Sequence, residues 1–199
     1  MQQHQHGPNC GCAEYMFNED ADDLYGQIEI DKVDCLNETA QNVKQIIRPE
    51  IEKTKKNHFV QSDLDSEIIV IIPFNETVRI RQINVVSLNE ESAPNLMKAY
   101  INISNVDFGL IETPCVEQFV LSPNLDGQFG NAVKVSKFEN VNNLILYIKS
   151  TVNDPIRISY IGVKGIRTFQ SKQLANTIYE LNPLAKQVDP DKVVFDSVC

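Results

Sequence analysis

Four residues near the N-terminus, His4, His6, Cys10 and Cys12, form the only cluster of soft metal ligands in the sequence. Structural zinc sites hold the ion with four nitrogen or sulfur ligands, which these side chains could provide. The H-x-H and C-x-C spacings are tighter than the C-x₂-C pairs that usually hold zinc across a turn. We therefore predict a tail that binds zinc weakly, and a physiological zinc site remains the alternative.

A thiol nucleophile is poorly supported by the sequence. Redox catalysis of the thioredoxin type needs a C-x-x-C motif at the start of a helix, and Cys10-Gly-Cys12 has only one intervening residue. Hydrolysis needs a base, and His58 is the only histidine outside the N-terminal cluster. Cys35, with apolar residues nearby, is interpreted as a small buried hydrophobe, and a Cys35–His58 dyad is the alternative.

An acidic segment at 62–67 carries Asp63, Asp65 and Glu67. A simple solvated loop is typical of such charge runs. The segment could instead be a docking surface for a basic partner. A calcium loop is the third interpretation, although the twelve-residue spacing and central glycine of an EF-hand are absent. Asp63, Asp65 and Glu67 are the charged residues that we predict to bind a partner.

Apolar candidates for binding lie elsewhere in the chain. Val193, Val194 and Phe195 could add as a strand to a partner's sheet, or could fold back over their own domain. A small sugar or peptide ligand would need exposed aromatic side chains for stacking. The candidates for that role are Phe74, Tyr100, Phe108 and Tyr147.

Charge and composition argue against several classes of function. The net charge is −9 and no long basic stripe is present, so no nucleic-acid partner is expected. No run approaches the ~20 apolar residues that cross a bilayer, so no membrane partner is expected. The N-terminus lacks the basic start and apolar stretch of a secretory signal, which predicts a protein of the cytoplasm and nucleus. Without a Walker A loop, a dinucleotide fingerprint or an H-E-x-x-H helix, we predict no enzyme activity and no cofactor.

Short β-strands separated by turns dominate the central sequence. The predicted strands are 24–30, 67–73, 77–88, 97–103, 118–121, 132–135, 143–149 and 156–162. The apolar residues of 77–88 change phase near Gln82, which predicts a β-bulge. Residues 43–54 are predicted to be partly helical and interrupted by Pro49, and residues 171–181 could form a short helix.

This pattern favours an all-β domain at 24–170, built as a sandwich of two antiparallel sheets. Residues 1–23 are polar and acidic and are predicted to form a flexible tail. Residues 171–199 mix short apolar clusters with two prolines and are predicted to form an extended tail.

Four strings of residues, in this order, resemble the PITH domain. They are Asp34-Cys-Leu-Asn-Glu38, Phe59-Val-x-Ser-Asp-x-Asp-x-Glu67, Ile72-Pro-Phe74 and Tyr160-Ile-Gly-Val-Lys-Gly165, and together they span most of residues 24 to 170. The resemblance implies a jelly-roll β-sandwich similar to galactose-binding-like domains. It transfers no catalytic residue. Asn37 and Gly162 are of types favoured where a turn or close packing is needed, so the strings could mark the fold as much as a binding surface.

The resemblance also implies a partner. The family name records interaction with the proteasome, and a relative that carries a thioredoxin module is proteasome-associated. We therefore predict a non-catalytic adaptor that binds the 26S proteasome regulatory particle or another large intracellular complex. The alternatives are a jelly-roll module for a small ligand or peptide, and a thiol or metal regulator that acts through the N-terminal tail.

Overall fold

The computed structural model describes residues 21–40, 42–152 and 155–168, which contain nine strands and one short α-helix. The strands are β1 (Asp22–Asp23), β2 (Asp34–Leu36), β3 (Val60–Gln61), β4 (Glu67–Ser87), β5 (Leu96–Ile101), β6 (Glu117–Val120), β7 (Asn131–Ala132), β8 (Val141–Lys149) and β9 (Arg157–Arg167), and the helix α1 is Val43–Ile46. The predicted tail at 171–199, and all but the last residues of the tail at 1–23, lie outside the described residues.

The named strands pair antiparallel in one sheet, in the order β1-β9-β4-β8-β5-β6. β2 and β7 also pair with β4, and β3 pairs with β9. The first part of β4 pairs with β8 and its second part pairs with β9, so β4 belongs to both layers of the fold. The predicted all-β fold is confirmed, with the difference that β4 joins the two layers into one curled sheet.

The prediction of two separate strands at 67–73 and 77–88 is wrong, because β4 continues through Pro73. Proline cannot donate to a ladder, but the Pro73 carbonyl accepts a hydrogen bond of 2.9 Å from the Glu29 amide. The pairing with β8 shifts between Pro73 and Val78 while the chain stays extended. Proline therefore interrupts the pairing here without ending the strand.

The β-bulge predicted near Gln82 is confirmed. Ile80 faces Gly165 and Gln82 faces Lys164, which leaves Arg81 as the extra residue of β4. The backbone of β4 approaches β9 so closely here that a Cβ on Gly165 would collide with the Arg79 carbonyl oxygen. The bulge in one strand therefore requires glycine in the strand that faces it.

A large apolar core lies inside the curled sheet. Alternate residues of β4, such as Ile68, Val70 and Ile72, are buried in it together with residues from β5, β8 and β9. Complete burial of side chains of this size stabilises the fold by about 1.5–3 kcal/mol each. Apolar burial is therefore the main force that holds the two layers together.

The opposite face of the β4–β8–β5 layer carries a second, smaller apolar cluster. Ile69, Tyr100, Ile145 and Tyr147 form it together with Leu110. Leu110 lies in the connection 102–116 between β5 and β6, within a 3₁₀ turn. This connection covers the sheet face from outside. The cover explains why residues 68–72 are apolar at every position instead of alternating.

The strand predicted at 24–30 is wrong. These residues form 3₁₀ turns, Tyr25–Gln27 and Ile30–Lys32, with a single isolated bridge at Ile28. Leu24 and Ile28 are the buried apolar side chains here, and they flank the first of these turns. Of the strand predicted at 132–135, only β7 exists, and Val135–Lys137 is a 3₁₀ turn.

The prediction of a partly helical segment at 43–54 is confirmed, because α1 ends before Pro49 and a 3₁₀ turn follows. Arg48, which is buried, joins this segment to the sheet. Its Nη2 donates to the Ser159 carbonyl of β9 at 2.9 Å and to the Lys55 carbonyl at 2.7 Å, and its Nη1 donates to Asn57 Oδ1 at 3.3 Å. One guanidinium thereby fixes α1 and the loop after it against β9.

Candidate functional site

Asn37 organises the acidic loop that follows β3. It adopts a left-handed backbone conformation with φ of 65°, which asparagine tolerates better than most residues. Its Nδ2 donates to the Glu67 carbonyl at 2.7 Å and the Asp65 carbonyl at 3.3 Å, and its Oδ1 accepts from the Leu64 amide at 3.2 Å. The expectation that Asn37 serves a turn is confirmed. It also ties the first two PITH-like strings into one unit.

Glu67 is held by the sheet rather than free for a partner. Its Oε2 accepts a hydrogen bond of 2.6 Å from the Tyr147 hydroxyl, and Lys149 Nζ lies 3.1 Å from the same oxygen. Both partners come from β8, next to β4. Burial, and then the hydrogen bond to Glu67, raise the pKa of Tyr147 well above its ordinary range. Glu67 therefore anchors the end of the acidic loop.

A groove of about 530 Å³ lies between the acidic loop and the connection 102–116. Its lining residues are Asn37, Leu64, Asp65, Glu67, Phe108, Ile111 and Glu112, and we call it the Leu64–Phe108 groove. Leu64 is 82% exposed and Phe108 is 39% exposed, although both are large apolar side chains. Two apolar side chains that face one groove from different segments are typical of a protein-binding surface.

The rim of the groove is acidic. Asp65 and Glu112 line it and are exposed, and exposed Asp63 and Asp107 are next to its lining residues in the chain. Two nearby lysines are engaged with lining residues of the groove. Lys149 contacts Glu67, and Lys98 Nζ lies 3.4 Å from the Ile111 carbonyl and 5.8 Å from the centre of the Tyr147 ring. The groove therefore offers apolar contact inside and negative charge outside.

The structure places the predicted partner-binding carboxylates in different roles. Asp63 and Asp65 are exposed on the loop, whereas Glu67 is partly buried and bonded within the sheet. No group of three His, Cys, Asp or Glu side chains in the described residues could hold a metal ion, which gives a calcium loop no support. His4, His6, Cys10 and Cys12, and also Val193, Val194 and Phe195, lie outside the described residues.

Cys35 is a buried side chain of β2, as the sequence predicted. Burial, followed by the charges of Glu38 and Asp34, raises the pKa of the Cys35 thiol far above its ordinary value. A thiol that stays protonated is a poor nucleophile, and His58 is exposed on the surface. The arrangement speaks against a Cys35–His58 dyad.

Of the four aromatic residues considered for ligand stacking, Phe74, Tyr100 and Tyr147 are buried. Only Phe108 is exposed, and it lines the groove. The sequence suggested Phe108 as a stacking residue, but Leu64 and Ile111 were missed by sequence reasoning. Leu64 was a usable signal, because it is the single apolar residue within the acidic segment. Ile111 gave none, because it lies in a turn without strand periodicity.

We expect three tyrosines of the folded protein to ionise at a higher pH than tyrosine ordinarily does. Burial is the first cause that raises the pKa of Tyr100, Tyr147 and Tyr160 in the folded state. The pKa of Tyr147 is higher in the folded state than in the unfolded chain, so the protonated phenol stabilises the folded state. This stabilisation is fully present below the ordinary tyrosine pKa of about 10, and it is lost as the pH rises through the folded pKa.

An absorbance titration of tyrosinate measures this directly. The denatured chain should ionise all six tyrosines in the ordinary range, and the folded chain fewer. The variant Tyr147→Phe should reduce the amount of phenol that ionises only on unfolding. If Tyr147→Phe instead removes absorbance from the ordinary range of the folded protein, the assigned environment of Tyr147 is wrong.

Residues 16–183 match the PITH domain family. The chain belongs to this family. The resemblance seen in the four strings is thus confirmed. PITH domain-containing protein 1 of Dictyostelium discoideum is 36% identical over 98% of this chain and 93% of its own length. PITH domain-containing protein 1 of Homo sapiens is 32% identical over 71% of this chain and 68% of its own length.

Solved structures of Clostridium perfringens proteins share the fold of this PITH domain. The glycoside hydrolase CpGH89 matches with a TM-score of 0.52 and 14% identity, over 75% of this chain and 15% of that one. The CBM32-1 and CBM32-2 domains of ZmpB match with a TM-score of 0.50 and 9% identity, over 76% of this chain and 41% of that one. The predicted jelly-roll sandwich of the galactose-binding-like type is confirmed, and at such identities the likeness concerns the fold alone. Within the described ranges, no helix is long and apolar enough to cross a membrane.

Proposed function

We propose that this PITH domain is a non-catalytic interaction module that binds another protein in the Leu64–Phe108 groove. The observation that carries the proposal is the pair of exposed apolar side chains, Leu64 and Phe108, that face one groove. Burial of such side chains under a partner removes apolar surface from water, which is the main driving force of association. The protonated thiol of Cys35 supports a non-catalytic role.

Charge complementarity defines the chemistry of the partner. The acidic rim formed by Asp63, Asp65, Asp107 and Glu112 attracts a basic segment and repels an acidic one. The partner segment therefore carries an apolar side chain for the groove and lysine or arginine beside it. Such a partner needs no cofactor in the groove.

The first partner to test is the regulatory particle of the 26S proteasome, and the alternative is another large complex of the cytoplasm or nucleus. The name of the family supports this choice, because it records interaction with the proteasome. Purification of the tagged full chain from cells, followed by blotting for proteasome subunits, tests the partner. Recovery of no subunit at physiological salt would contradict this assignment while leaving the groove itself open to another complex.

Variants of the groove test the binding site. We expect Leu64→Ser and Phe108→Ser each to weaken partner binding roughly tenfold or more, as is common for anchor residues. Both side chains are exposed, so the fold should tolerate the changes. Val152→Ser is the matched control, because Val152 is an exposed apolar residue that does not line the groove. Equal binding by the control and both groove variants would rule out the groove.

A further inference from the structure

A second pocket lies between β6 and the loop 121–130 that follows it. Its volume is about 330 Å³, which is within the range of small-ligand sites. We call it the Phe129 pocket, and its lining residues are Val85, Ser87, Pro94, Val120, Leu121, Ser122, Asn124, Phe129 and Asn131. It shares no lining residue with the Leu64–Phe108 groove, so a ligand held in this pocket is independent of the proposed function.

Asn124 gives the loop a fixed shape. Its Nδ2 donates to the Phe129 carbonyl at 2.7 Å, the Val85 carbonyl at 3.0 Å and Asn84 Oδ1 at 2.9 Å. Its own carbonyl accepts from the Ser87 amide of β4 at 2.9 Å. These bonds tie the loop to β4 at one side and to the backbone of Phe129 at the other. The position of Phe129 is therefore set before any ligand arrives.

Two polar atoms that belong to buried residues of the pocket are left without a protein partner. Ser87 is 2% exposed and Asn124 is 6% exposed. Because three oxygens surround Asn124 Nδ2, Oδ1 is the remaining polar atom of that side chain. Among the described residues, neither Asn124 Oδ1 nor Ser87 Oγ makes a hydrogen bond. Neither atom is fully enclosed by protein, so both are free to bond a molecule in the pocket that supplies hydroxyl groups.

The remaining lining of the pocket is apolar or neutral. Phe129 is 69% exposed, and Val120 on the edge strand β6 is also exposed, so both border the mouth. Pro94 and Leu121 are buried deeper in the wall. None of the nine lining residues carries a charge. A charged ligand would lose its hydration without a counter-charge, so the lining selects a neutral one.

We propose that the Phe129 pocket binds a neutral polyhydroxylated ring, that is, a single uncharged sugar residue. Hydroxyl groups of the ring donate to Asn124 Oδ1 and exchange hydrogen bonds with Ser87 Oγ. The less polar face of the ring packs against Phe129 and Val120. A ring of this size buries few atoms, so the dissociation constant should be on the order of 1 mM.

Amide NMR of the isotope-labelled full chain tests this site. The probes are the methyl glycosides of galactose, mannose, glucose and N-acetylglucosamine, with glucuronic acid and glucosamine as charged comparisons. We expect at least one neutral glycoside to shift the amides of residues 120–124 and 129–131, with the charged sugars at least tenfold weaker. If no neutral glycoside shifts these amides up to about 50 mM, or if the shifts map to the Leu64–Phe108 groove instead, the proposal is wrong.

Two phenylalanine variants provide the matched comparison. Phe129→Ala should weaken binding of the glycoside at least fivefold, with an unchanged thermal midpoint because the ring is exposed. Phe108→Ala, which removes the exposed phenylalanine of the groove, should leave the affinity unchanged. Ser87→Ala should also weaken binding, because it removes a hydroxyl that is free to bond the ring. Wild-type affinity in both Phe129→Ala and Ser87→Ala would overturn the proposal.

Discussion

Replacement of Gly165 by alanine should lower the free energy of unfolding by about 3 kcal/mol, although it adds a single methyl group. The new Cβ would collide with the carbonyl oxygen of Arg79, which is backbone and cannot rotate away. It would also lie 2.9 Å from the Cδ1 atom of Leu24, a fully buried side chain. Relief requires β4 and β9 to separate at the bulge, where Ile80 and Gly165 face each other.

Gly26→Ala is the matched control for this effect. No atom lies within 4 Å of a Cβ built on Gly26, so alanine fits there and reduces only the freedom of the unfolded chain. Urea denaturation of both variants measures the difference. We expect the midpoint of Gly26→Ala to equal or exceed that of the wild type, and the midpoint of Gly165→Ala to fall clearly below it. Equal midpoints for the two variants would show that β9 does not approach the bulge as described.

The bulge illustrates what the sequence reveals about this fold. The change of phase near Gln82 is a local property of one strand, because the side chains of a strand alternate between two faces. It could therefore be read without knowledge of the partner strand. The need for glycine at Gly165 could not be read in this way, since it arises from a backbone contact between residues far apart in the chain.

Segments whose structure depends on packing against residues far away in the chain were harder to predict. The apolar run 68–72 indicates a strand buried on both faces, but not that the connection 102–116 covers one of them. Residues 24–30 have the composition of a strand, yet a 3₁₀ turn forms, and Leu24 and Ile28 at its two ends both reach the core. Tertiary packing outweighs local preference in both segments.

Part of the candidate groove could be predicted from the sequence. The acidic loop was predicted as a possible docking surface because charge runs are visible in sequence. The groove itself exists only because Asn37 folds this loop back, which brings Leu64 beside Phe108. Contacts between residues so far apart in the chain leave no periodic signal in either segment.

Replacement of Arg48 by methionine should lower the free energy of unfolding by about 3 kcal/mol. Methionine fills similar space and avoids the cost of a buried charge, which offsets part of the loss. However, the Ser159 carbonyl is held in β9 and cannot turn towards water, so it loses a hydrogen bond that nothing replaces. The Lys55 carbonyl and Asn57 lose theirs as well, which frees the loop after α1.

Arg79→Met is the matched control for Arg48→Met, because Arg79 is 37% exposed and contacts Glu139, at 3.8 Å, in a salt bridge. Such an exposed ion pair should contribute less than about 1 kcal/mol to stability. Arg48→Lys should fall between the wild type and Arg48→Met, since one ammonium group cannot reach three acceptors arranged for a planar guanidinium. Urea denaturation ranks the four proteins. Amide hydrogen exchange measures local opening of the chain. We expect faster exchange of the amides in residues 43–57 of Arg48→Met under native conditions. If Arg48→Met is as stable as Arg79→Met and protects these amides equally well, the guanidinium is not needed, and apolar burial of Ile46 and Ile47 with the bridge from Ile47 to Ile161 holds α1 against β9.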